Sequence, residues 1–543
     1  MGRRLGDVLC AQGALTPQNL GRGLDEQRRR GGLLGERLIE LRLLSPDDLA
    51  RALTRQTDLL LTELDAAVSA LAAEIAAGGA PSAPGTAPAP LVRLVDTLLA
   101  KAVALDASDL HLEPAADACL VRYRVHGLLS TAFRLARALH PPLVSRVKIL
   151  ASLDIAERRL PQDGAVRATH AGHAVDLRIS SLPTQYGEKL VIRILDQSRP
   201  LLTLAGLGLG ADLAAVEGLL TRRKGIILVT GPTGSGKTTT LYAMINAIRD
   251  GSTNLITVED PIEYSMPGVN QVQVHPEIGL TFARTLRAIL RQDPDVILIG
   301  EIRDGETAEI AFRAAMTGHL VLSTLHTNDA PATVTRLIDL GVPRYLVAAQ
   351  TTGILAQRLV RALCPACRAQ GLPALAPVLQ LALPPATCDD PTWWRPVGCG
   401  ACRGTGYRGR ISLFESLIPG RALREEISDG ASEDAIRVAA IRGGMASLLS
   451  DGLAKARAGL TTLEEVGRVL EPDELTPLLC DACGRVKPAG FPWCPFCGAR
   501  ARGFCGGCRQ ALSAAWSHCP ACGAKRSSQL TGDSSQGENP SFL

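Results

Sequence analysis

The sequence predicts a multidomain α/β protein, and three observations support that prediction. The first 65 residues contain a duplicated helical segment, short apolar strands alternate with helical stretches over residues 225–325, and most cysteines occur in pairs with two residues between them. A single hydrophobic core seldom serves more than about 250–300 residues, so a chain of 543 residues should form several domains. Aromatic residues make up only 3% of the chain, so aliphatic side chains must fill the cores.

Charge and hydropathy exclude some classes of protein. The net charge of +4 is small for this length and gives no electrostatic reason to expect nucleic acid as the main partner. No apolar run reaches the 18 residues of a membrane span, and Asp7 and Gln12 interrupt any signal-like stretch near the start. We therefore expect a cytoplasmic protein. The 15 cysteines suit that location if they bind zinc rather than form disulfides.

The N-terminal repeat predicts a helical domain over residues 1–75. Residues 5–27 align with residues 34–56 at an offset of 29, and each copy begins Leu-Gly and ends in Gln. Thr16 and Ser45 each precede a proline, which is the pattern of an N-cap followed by proline at the first helical position. The two copies should therefore fold alike.

The rest of the chain divides by composition. Residues 76–90 form a Pro/Gly/Ala linker that cannot continue a helix. Residues 91–200 predict a second α/β domain, and residues 201–475 a third region with a parallel sheet. In the second domain we expect a helix over 91–104 and strands over 109–113, 120–125, 175–180 and 189–195. Residues 476–526 are cysteine-rich, and the polar tail over 527–543 should be disordered.

A phosphate-binding loop follows a buried strand over residues 226–230. The glycines of the pattern Gly-x4-Gly-Lys-Thr let backbone N–H groups surround phosphate oxygens, while Lys237 reaches the β- and γ-phosphates and Thr238 can ligate Mg²⁺. The sequence therefore predicts binding of ATP and Mg²⁺. The predicted nucleotide-binding residues are Gly231, Pro232, Thr233, Gly234, Ser235, Gly236, Lys237, Thr238 and Thr239.

Acidic residues follow two further apolar strands. Glu301 ends the segment 296–301, where a P-loop protein places a carboxylate that orients or deprotonates water; the alternative is an ordinary strand-terminal acid. Glu259, Asp260 and Glu263 follow the other strand, and clustered carboxylates beside a phosphate site commonly serve Mg²⁺ or water. His319 and His326 flank a third buried strand. A single histidine there would more often be structural, but two favour a functional role.

The cysteines fall into three four-thiolate sets, which predicts three zinc sites. The first set has structural spacing with no open ligand position. The other two repeat at an offset of 25 as tandem zinc ribbons, which need metal to fold because neither can bury a core. Cys388 has no partner at this spacing and should be a free thiol. The predicted ligands are Cys364, Cys367, Cys399 and Cys402, then Cys480, Cys483, Cys494 and Cys497, then Cys505, Cys508, Cys519 and Cys522.

Four motifs in order make the family recognisable. GPTGSGKTTT, ITVEDPIEY, LRQDPDVILIGEIRDGETAEIA and GHLVLSTLHTNDA resemble the secretion ATPases of type II secretion and type IV pilus assembly, and the resemblance covers about residues 1–470. It implies a RecA-like P-loop ATPase core, preceded by a helical N-terminal domain and an α/β second N-terminal domain; here zinc ribbons follow. It also implies a homo-hexamer, peripheral on the cytoplasmic face of the inner membrane, that works with platform and adaptor proteins.

The resemblance also assigns roles to residues. It implies that Glu301 is the catalytic acid and that the other acids support metal and water. It implies that His319 and His326 sense the γ-phosphate, and that Arg178 and Arg193 of the second N-terminal domain swing toward the nucleotide. The residues assigned to catalysis are Glu301, Glu259, Asp260, Glu263, His319, His326, Arg178 and Arg193, with Arg287, Arg291 and Arg303 as further candidates. His126 stands where the family usually has aspartate.

The N-terminal repeat resembles tandem motifs that bind cyclic di-GMP in some of these ATPases. The first copy matches at Arg4, Leu5, Gly6, Leu9, Gly13, Leu15, Leu20, Leu24 and Gln27. The second keeps Leu34, Gly35, Leu38, Leu44, Leu49, Leu53 and Gln56, but has Leu33 in place of arginine and Arg42 in place of glycine. Two interpretations stay open here: a cyclic di-GMP site, or a duplicated docking domain for a membrane partner.

The motor is expected to drive pseudopilus or type IV pilus assembly, and the sequence does not choose between them. Two other interpretations are a conjugation-type translocation ATPase and a nucleotide-gated adaptor that acts through its zinc ribbons. The second domain and the first cysteine set argue against the former, and intact Lys237, Thr238 and Glu301 argue against the latter. The ribbons could bind protein or nucleic acid, and we favour protein.

Overall fold

The computed structural model describes residues 4–77, 90–170, 173–196, 202–381, 383 and 392–470. Most of the predicted linker, Cys388, the tandem zinc ribbons and the predicted disordered tail lie outside these residues. The described part contains helices and three sheets, so the predicted α/β class is confirmed.

The N-terminal region consists of four helices. They are α1 (Leu5–Ala11), α2 (Pro17–Arg30), α3 (Leu34–Glu40) and α4 (Pro46–Ala76). Thr16 accepts a hydrogen bond from the Asn19 backbone N–H, and Ser45 accepts one from Asp48, so both predicted N-caps are confirmed. Each cap satisfies a backbone donor that the first turn of a helix leaves unpaired.

The two copies of the repeat pack in the same way. A Cβ atom on Gly6 would lie 2.7 Å from the Leu20 side chain, and one on Gly35 would lie 2.8 Å from Leu49, its counterpart 29 residues on. The turn after each short helix is left-handed, with φ of 70° at Gly13 and 54° at Arg42. The second copy therefore keeps the backbone of the first, although arginine replaces glycine there.

A six-stranded antiparallel sheet forms the second region. Its elements are α5 (Pro90–Ala104), β1 (Ala107–Pro114), β2 (Ala118–Val125), β3 (Leu128–Ala136), α6 (His140–Leu150), β4 (Gln162–His170), β5 (His173–Thr184) and β6 (Gly187–Asp196). The strand order is β3-β2-β1-β6-β5-β4. Apolar residues of β1, β5 and β6 pack with α5 and α6 in one core. Because side chains alternate across a strand, Asp109, Arg178 and Arg193 lie on the opposite face.

Helix α4 connects the first region to the second. Near its start, Ala52 belongs to the core of the N-terminal repeat, whereas Val68 and Leu71 belong to the core of the second region. Between them, Asp65 forms an ion pair with Lys101 of α5. One continuous helix of 31 residues therefore contributes to two hydrophobic cores.

The third region is built on a seven-stranded sheet. Its strands are β7 (Gly225–Thr230), β8 (Leu255–Glu259), β9 (Asn270–Gln273), β10 (Val296–Ile299), β11 (Leu320–Leu325), β12 (Thr351–Leu363) and β15 (Tyr407–Leu417), while β13 (Ala369–Gln370) and β14 (Trp394–Arg395) form a small separate ribbon. The order is β15-β12-β7-β11-β10-β8-β9, and all neighbours are parallel except β12 and β15.

Helices connect and cover these strands. They are α7 (Leu213–Leu220), α8 (Lys237–Ile248), α9 (Phe282–Ile289), α10 (Gly305–Met316), α11 (Ala330–Asp339), α12 (Arg344–Gln350), α13 (Leu375–Gln380), α14 (Arg421–Asp429), α15 (Glu433–Arg442), α16 (Leu448–Arg457) and α17 (Leu463–Val469). Every residue of β7, β8, β10 and β11 is buried, as expected for parallel strands covered on both faces. The carboxyl ends of these strands meet at one edge, where a parallel α/β sheet binds ligands.

Candidate active site

The phosphate-binding loop connects β7 to α8 and lies against β12. Gly231, Gly234 and Gly236 have φ of 146°, 80° and 91°, a range that only glycine adopts readily. A Cβ atom on Gly231 would lie 2.5 Å from the Gln357 carbonyl oxygen, and one on Gly236 would lie 2.9 Å from Gln357 Nε2. These two glycines are therefore required by close packing as well as by backbone conformation.

Lys237 and Ser235 supply buried polar groups to this loop. Lys237 Nζ donates hydrogen bonds to the carbonyl oxygens of Gly231 (2.7 Å) and Pro232 (3.1 Å). Burial lowers the pKa of Lys237 to about 8, although the nearby Glu301 carboxylate opposes that shift. Ser235 Oγ is buried and has no hydrogen-bond partner in the described part of the chain. A phosphate oxygen would satisfy Ser235 Oγ and accept the remaining proton of the Lys237 ammonium, so the residues present fit a nucleoside triphosphate.

Glu301 lies at the carboxyl end of β10, next to Arg303 and His326. Its Oε1 is 2.6 Å from Arg303 Nη2, and its Oε2 is 3.6 Å from His326 Nε2. Arg303 Nη1 is also 4.0 Å from Asp260 Oδ2. Burial, with Lys237 nearby, lowers the pKa of His326. Glu301, Asp260 and His326 therefore lie together at the sheet edge, as the motifs predicted.

One cavity of about 390 Å³ connects the loop with these residues. Lys237 and Thr238 line it on the α8 side, and Glu301 and His326 line it on the β10–β11 side. A cavity of this size is within the range of small-molecule sites, about 300–1,000 Å³. Of the predicted catalytic residues it contains Glu301, Glu259, Asp260, Glu263, His326 and Arg193.

Glu259 and Glu263 lie on the β8 side and are both held by other side chains. Glu259 is buried, and its Oε1 accepts hydrogen bonds from Thr257 Oγ1 (2.6 Å) and Gln271 Nε2 (3.1 Å). Its Oε2 accepts one from the Tyr242 hydroxyl. Glu263 faces the second region instead. The three predicted acids of this segment therefore have different surroundings: Glu259 is buried, Glu263 faces the second region, and Asp260 lies near Arg303.

Arginines of the second region reach this edge. Arg178 Nη1 and Nη2 lie 3.1 and 2.9 Å from the two carboxylate oxygens of Glu263, and Nη2 also donates to the Ile262 carbonyl at 3.3 Å. Arg193 lines the cavity, but its Nε donates to Asp109 Oδ1 at 3.2 Å. Both predicted arginines are thus at the boundary of the site and bound to carboxylates.

The structure does not bring His319 to this cavity. His319 precedes β11 while His326 follows it, and a strand of six residues is about 20 Å long. His319 Nδ1 lies 2.9 Å from the Ala314 carbonyl oxygen, so the ring is fixed at the end of α10. Neither Arg287 nor Arg291 is among the residues that line the cavity. Arg287 pairs with Glu306, and Arg291 Nη1 donates to the Arg287 carbonyl oxygen.

Sequence motifs missed several residues of the site. Arg410 of β15 lines the cavity from beyond the first cysteine set, and Arg358 of β12 donates to the Gln357 and Asn328 carbonyl oxygens beside the loop. Tyr242 approaches Glu259 from α8. No spacing rule identifies Arg410, because its position depends on how β15 pairs with β12. Tyr242 could have been identified from the sequence, since it follows Lys237 by only five residues on the same helix.

The first cysteine set forms a cluster beside the sheet. All four sulfur atoms lie within 4.8 Å of one another, and three sulfur pairs are 3.9, 3.7 and 3.8 Å apart (Cys364–Cys399, Cys367–Cys402 and Cys399–Cys402). Four thiolates at about 2.3 Å from one ion form a tetrahedron with edges of about 3.8 Å. The residues therefore fit a structural zinc ion, as the sequence predicted for this set.

The cluster also contacts both N-terminal regions. Arg403, next to Cys402, has its Nε 3.9 Å from Asp58 Oδ1 of α4 and donates to the Ala104 carbonyl at the end of α5. His126, where the resemblance expects aspartate, accepts a hydrogen bond from the Gly409 N–H at 3.4 Å. The cysteine cluster thus lies where three parts of the chain meet.

Comparisons with known proteins agree with this arrangement. The family described as "Type II/IV secretion system protein" matches residues 86–468. The chain is 48% identical over 382 residues to the "Type II secretion system protein HxcR" of Pseudomonas aeruginosa, covering 70% of this chain and 77% of that protein. It is also 48% identical over 389 residues to the "Type IV pilus assembly ATPase PilB" of Myxococcus xanthus, covering 71% and 69%.

A solved structure supports the fold alone. The ATPase DotB of Yersinia pseudotuberculosis matches with a TM-score of 0.52 and 23% identity, over 70% of this chain and 93% of DotB. Within the described ranges, no helix is both long enough and apolar enough to span a bilayer. The phosphate loop, the acids at the sheet edge, the cysteine cluster and the extent of these matches lead to one conclusion: the chain belongs to the type II/IV secretion system ATPase family.

Proposed function

We propose that this chain is a motor that hydrolyses ATP to drive assembly of a pseudopilus, for type II protein secretion, or of a type IV pilus. The observation that carries the proposal is the single cavity in which Lys237, Thr238 and Glu301 meet. The relatives named above, a type II secretion protein and a pilus assembly ATPase, support the same activity.

The residues of the cavity suggest how the reaction is divided among them. Backbone N–H groups of the loop and Lys237 would bind the β- and γ-phosphates, and Thr238 would contribute a hydroxyl ligand to Mg²⁺, which stabilises charge on the phosphates when bound. Glu301 would orient the attacking water and accept its proton as the water oxygen bonds to the γ-phosphorus. The bond from the γ-phosphorus to the bridging oxygen breaks, and ADP and inorganic phosphate leave. Arg303 and His326 would hold the Glu301 carboxylate in place.

The other acids and the arginines would complete the site. Asp260 would contribute to the metal and water side of the cavity, and Glu259 and Glu263 would act as the fixed support of that segment. Arg178 and Arg193 would exchange their carboxylate partners for phosphate oxygens as the second region moves toward the nucleotide, because a guanidinium binds either anion bidentately.

The larger assembly follows the family. We infer a homo-hexamer, peripheral on the cytoplasmic face of the inner membrane, that acts on platform and adaptor proteins of a secretion or pilus system. The domains would follow the predicted division, 1–75, 91–200, 201–475 and 476–526, with the end of α4 packed into the core of the second. The cofactors would be ATP, Mg²⁺ and three zinc ions, with protein as the partner of the C-terminal ribbons.

The N-terminal repeat is proposed to bind cyclic di-GMP. The observation that favours this is the shared packing of its two copies, with Gly6 against Leu20 and Gly35 against Leu49, which retains the backbone of both motifs despite the substituted Arg42. Docking of a membrane partner is the alternative use of the same domain.

Steady-state hydrolysis by the purified chain tests the motor. Glu301→Gln should retain nucleotide binding but lose turnover at least about a hundredfold, the order expected for a lost general base. Lys237→Ala should lose binding itself. Glu309→Gln, on the exposed face of α10, is the control and should behave as wild type. Near-normal turnover by Glu301→Gln would refute the assignment, and strict dependence on added DNA would favour a conjugation-type translocation ATPase.

A further inference from the structure

The hydroxyl of Tyr242 is shared by three groups of the nucleotide site. Tyr242 lies on α8 and its side chain is 1% exposed. Its hydroxyl donates to Glu259 Oε2 and accepts hydrogen bonds from the backbone N–H groups of Glu263 (3.2 Å) and Tyr264 (3.4 Å). A phenolic oxygen has one proton to donate and two lone pairs to accept with, so its bonding capacity is fully used.

These three groups belong to one stretch of chain, residues 259–264, which we call the acidic segment. It begins at the carboxyl end of β8 and contains Glu259, Asp260 and Glu263. From α8 the Tyr242 hydroxyl bonds both ends of the segment, Glu259 at one and Glu263 with Tyr264 at the other. Asp260, between them, faces Arg303, which also pairs with Glu301. The position of Asp260 relative to the phosphate loop therefore depends on a hydrogen-bond centre outside its own strand.

The phosphate loop leads directly into helix α8. Lys237 is its first residue, and Tyr242 follows five residues later, about one and a half turns along. Because a helix is stiff over this length, the distance between the phosphate contacts and the Tyr242 hydroxyl is fixed. The hydroxyl therefore sets how far the acidic segment lies from bound phosphate.

Over the residues that the structure describes, the other hydrogen bonds to the acidic segment do not connect it to α8. Thr257 and Gln271 also bind Glu259, but they lie on β8 and β9 and move with the segment's own strands. Arg178 binds Glu263 from the second region. Among the hydrogen bonds of the described residues, those of Tyr242 alone join the acidic segment to α8. Burial, together with Glu259, raises the pKa of Tyr242 far above its ordinary value, so the hydroxyl remains a donor.

We propose that Tyr242 is a positioning residue for ATP hydrolysis, which holds the acidic segment at a fixed distance from the phosphate-binding helix. The inference rests on the proposed function, because it needs hydrolysis at this site. It assigns Tyr242 no contact with nucleotide. Loss of the hydroxyl should misplace the acids that serve metal and water and leave the phosphate contacts of the loop intact.

The test compares two buried tyrosines that each lose a hydroxyl. Tyr242→Phe should lower kcat about 10–100-fold, the effect of displacing a catalytic group by about 1 Å, and change the KM for ATP less than about threefold. It should also raise the Mg²⁺ concentration needed for half-maximal rate. Tyr123→Phe removes an equally buried hydroxyl that donates to the Leu98 carbonyl in the second region, so it should lose stability without losing kcat.

The outcomes separate positioning from stability. Equal kcat in the wild type and Tyr242→Phe would overturn the proposal, as would a raised KM with unchanged kcat, which would place the defect in the phosphate loop. If Tyr242→Phe unfolds at the assay temperature, kcat and the KM for ATP are measured for wild type, Tyr242→Phe and Tyr123→Phe at a lower temperature where all three are folded, and the loss must again be confined to the kcat of Tyr242→Phe. The proposed function fails separately, if Glu301→Gln hydrolyses ATP as fast as wild type.

Discussion

Arg178 and Glu263 form a bidentate ion pair between the second region and the nucleotide site. The two guanidinium nitrogens lie 3.1 and 2.9 Å from the two carboxylate oxygens, and both side chains are about three-quarters buried. A planar guanidinium suits a carboxylate in direction as well as charge, so in this structure the contact joins the sheet of the second region to the segment that follows β8.

Replacing Arg178 with lysine should therefore slow hydrolysis without unfolding the chain. Lysine keeps the charge but cannot bind the Glu263 carboxylate and the Ile262 carbonyl oxygen with one planar group, and losing one charge-assisted hydrogen bond of about 1.5–3 kcal/mol should cost roughly tenfold or more in rate. Arg167→Lys is the control, because Arg167 lines, with Arg178, the cavity between the second region and the segment after β8, but is largely exposed and pairs with Asp176 of its own sheet. Unchanged activity and unchanged oligomer size in Arg178→Lys would contradict this role.

Nucleotide affinity should fall at alkaline pH. The depressed pKa of Lys237, about 8, means that its amine is mostly protonated at pH 7 and mostly neutral at pH 9. Bound phosphate favours the ammonium, so binding should take up a larger fraction of a proton at pH 8.5 than at pH 7. Affinity should then weaken about tenfold for each pH unit above 8.

Calorimetry in buffers of different ionisation enthalpy measures this proton uptake. Lys224→Met removes an exposed lysine just before β7, the strand that leads into the phosphate loop. It should leave the proton uptake unchanged. Equal uptake at pH 7 and 8.5 in the wild-type chain would mean that Lys237 does not carry the effect.

Metal analysis should find three zinc ions per chain. Twelve of the 15 cysteines fall into three sets of four, and the first set already has the sulfur separations of a tetrahedral site. Cys364→Ser should lower the content by one ion, whereas Cys10→Ser, outside every set, should not change it. A single zinc ion in the wild-type chain would show that the C-terminal ribbons are misassigned.

Arg42→Gly should stabilise the N-terminal repeat. A residue other than glycine in the left-handed region is disfavoured by roughly 1 kcal/mol, and Arg42 has φ of 54° with an exposed side chain. Hydrogen exchange in α3 and the first turns of α4 should therefore slow about fivefold in the full-length chain. Gly13→Ala is the converse substitution at the equivalent turn, and it should speed exchange in α1 and α2. Faster exchange in Arg42→Gly would show that the arginine makes a contact worth more than the strain.

Calorimetry with cyclic di-GMP tests the ligand of the repeat. Binding to the full-length chain should be weaker by one to two orders of magnitude than in a chain carrying Leu33→Arg, because the substituted residue restores a charged contact of about 1.5–3 kcal/mol. Leu33 is 68% exposed, so the substitution should not disturb the fold. If neither chain releases or absorbs heat at high micromolar cyclic di-GMP, the repeat does not bind this ligand, and docking of a membrane partner is the interpretation that remains.

Local patterns predicted much of this fold and site. The buried strand before Gly231, the acid after β10 and the caps at Thr16 and Ser45 each depend on a few neighbouring residues, so sequence alone identifies them. The carboxyl ends of parallel strands meet at one edge, which is why Lys237, Glu301 and His326 could be grouped in advance. The same rule places His319 at the opposite end of its strand, away from them.

Contacts between distant residues could not be predicted in this way. The pairing of Asp58 with Arg403 joins residues more than 300 positions apart, and Arg410 reaches the cavity only because β15 pairs antiparallel to β12. The packing of Val68 and Leu71 into the second core is also tertiary, since composition alone suggested a domain that ends near residue 75. Such contacts depend on how whole elements assemble, which no local spacing encodes.

Helix α4 gives the molecule a rigid lever. Its 31 residues span about 46 Å, and it is held at three places: the repeat, the cysteine cluster through Asp58, and α5 through Asp65. A tilt of about 5° at the repeat would move the far end by about 4 Å, which exceeds the length of a hydrogen bond. A small rearrangement at the first residues would therefore reach the second region as a displacement large enough to break or form contacts there.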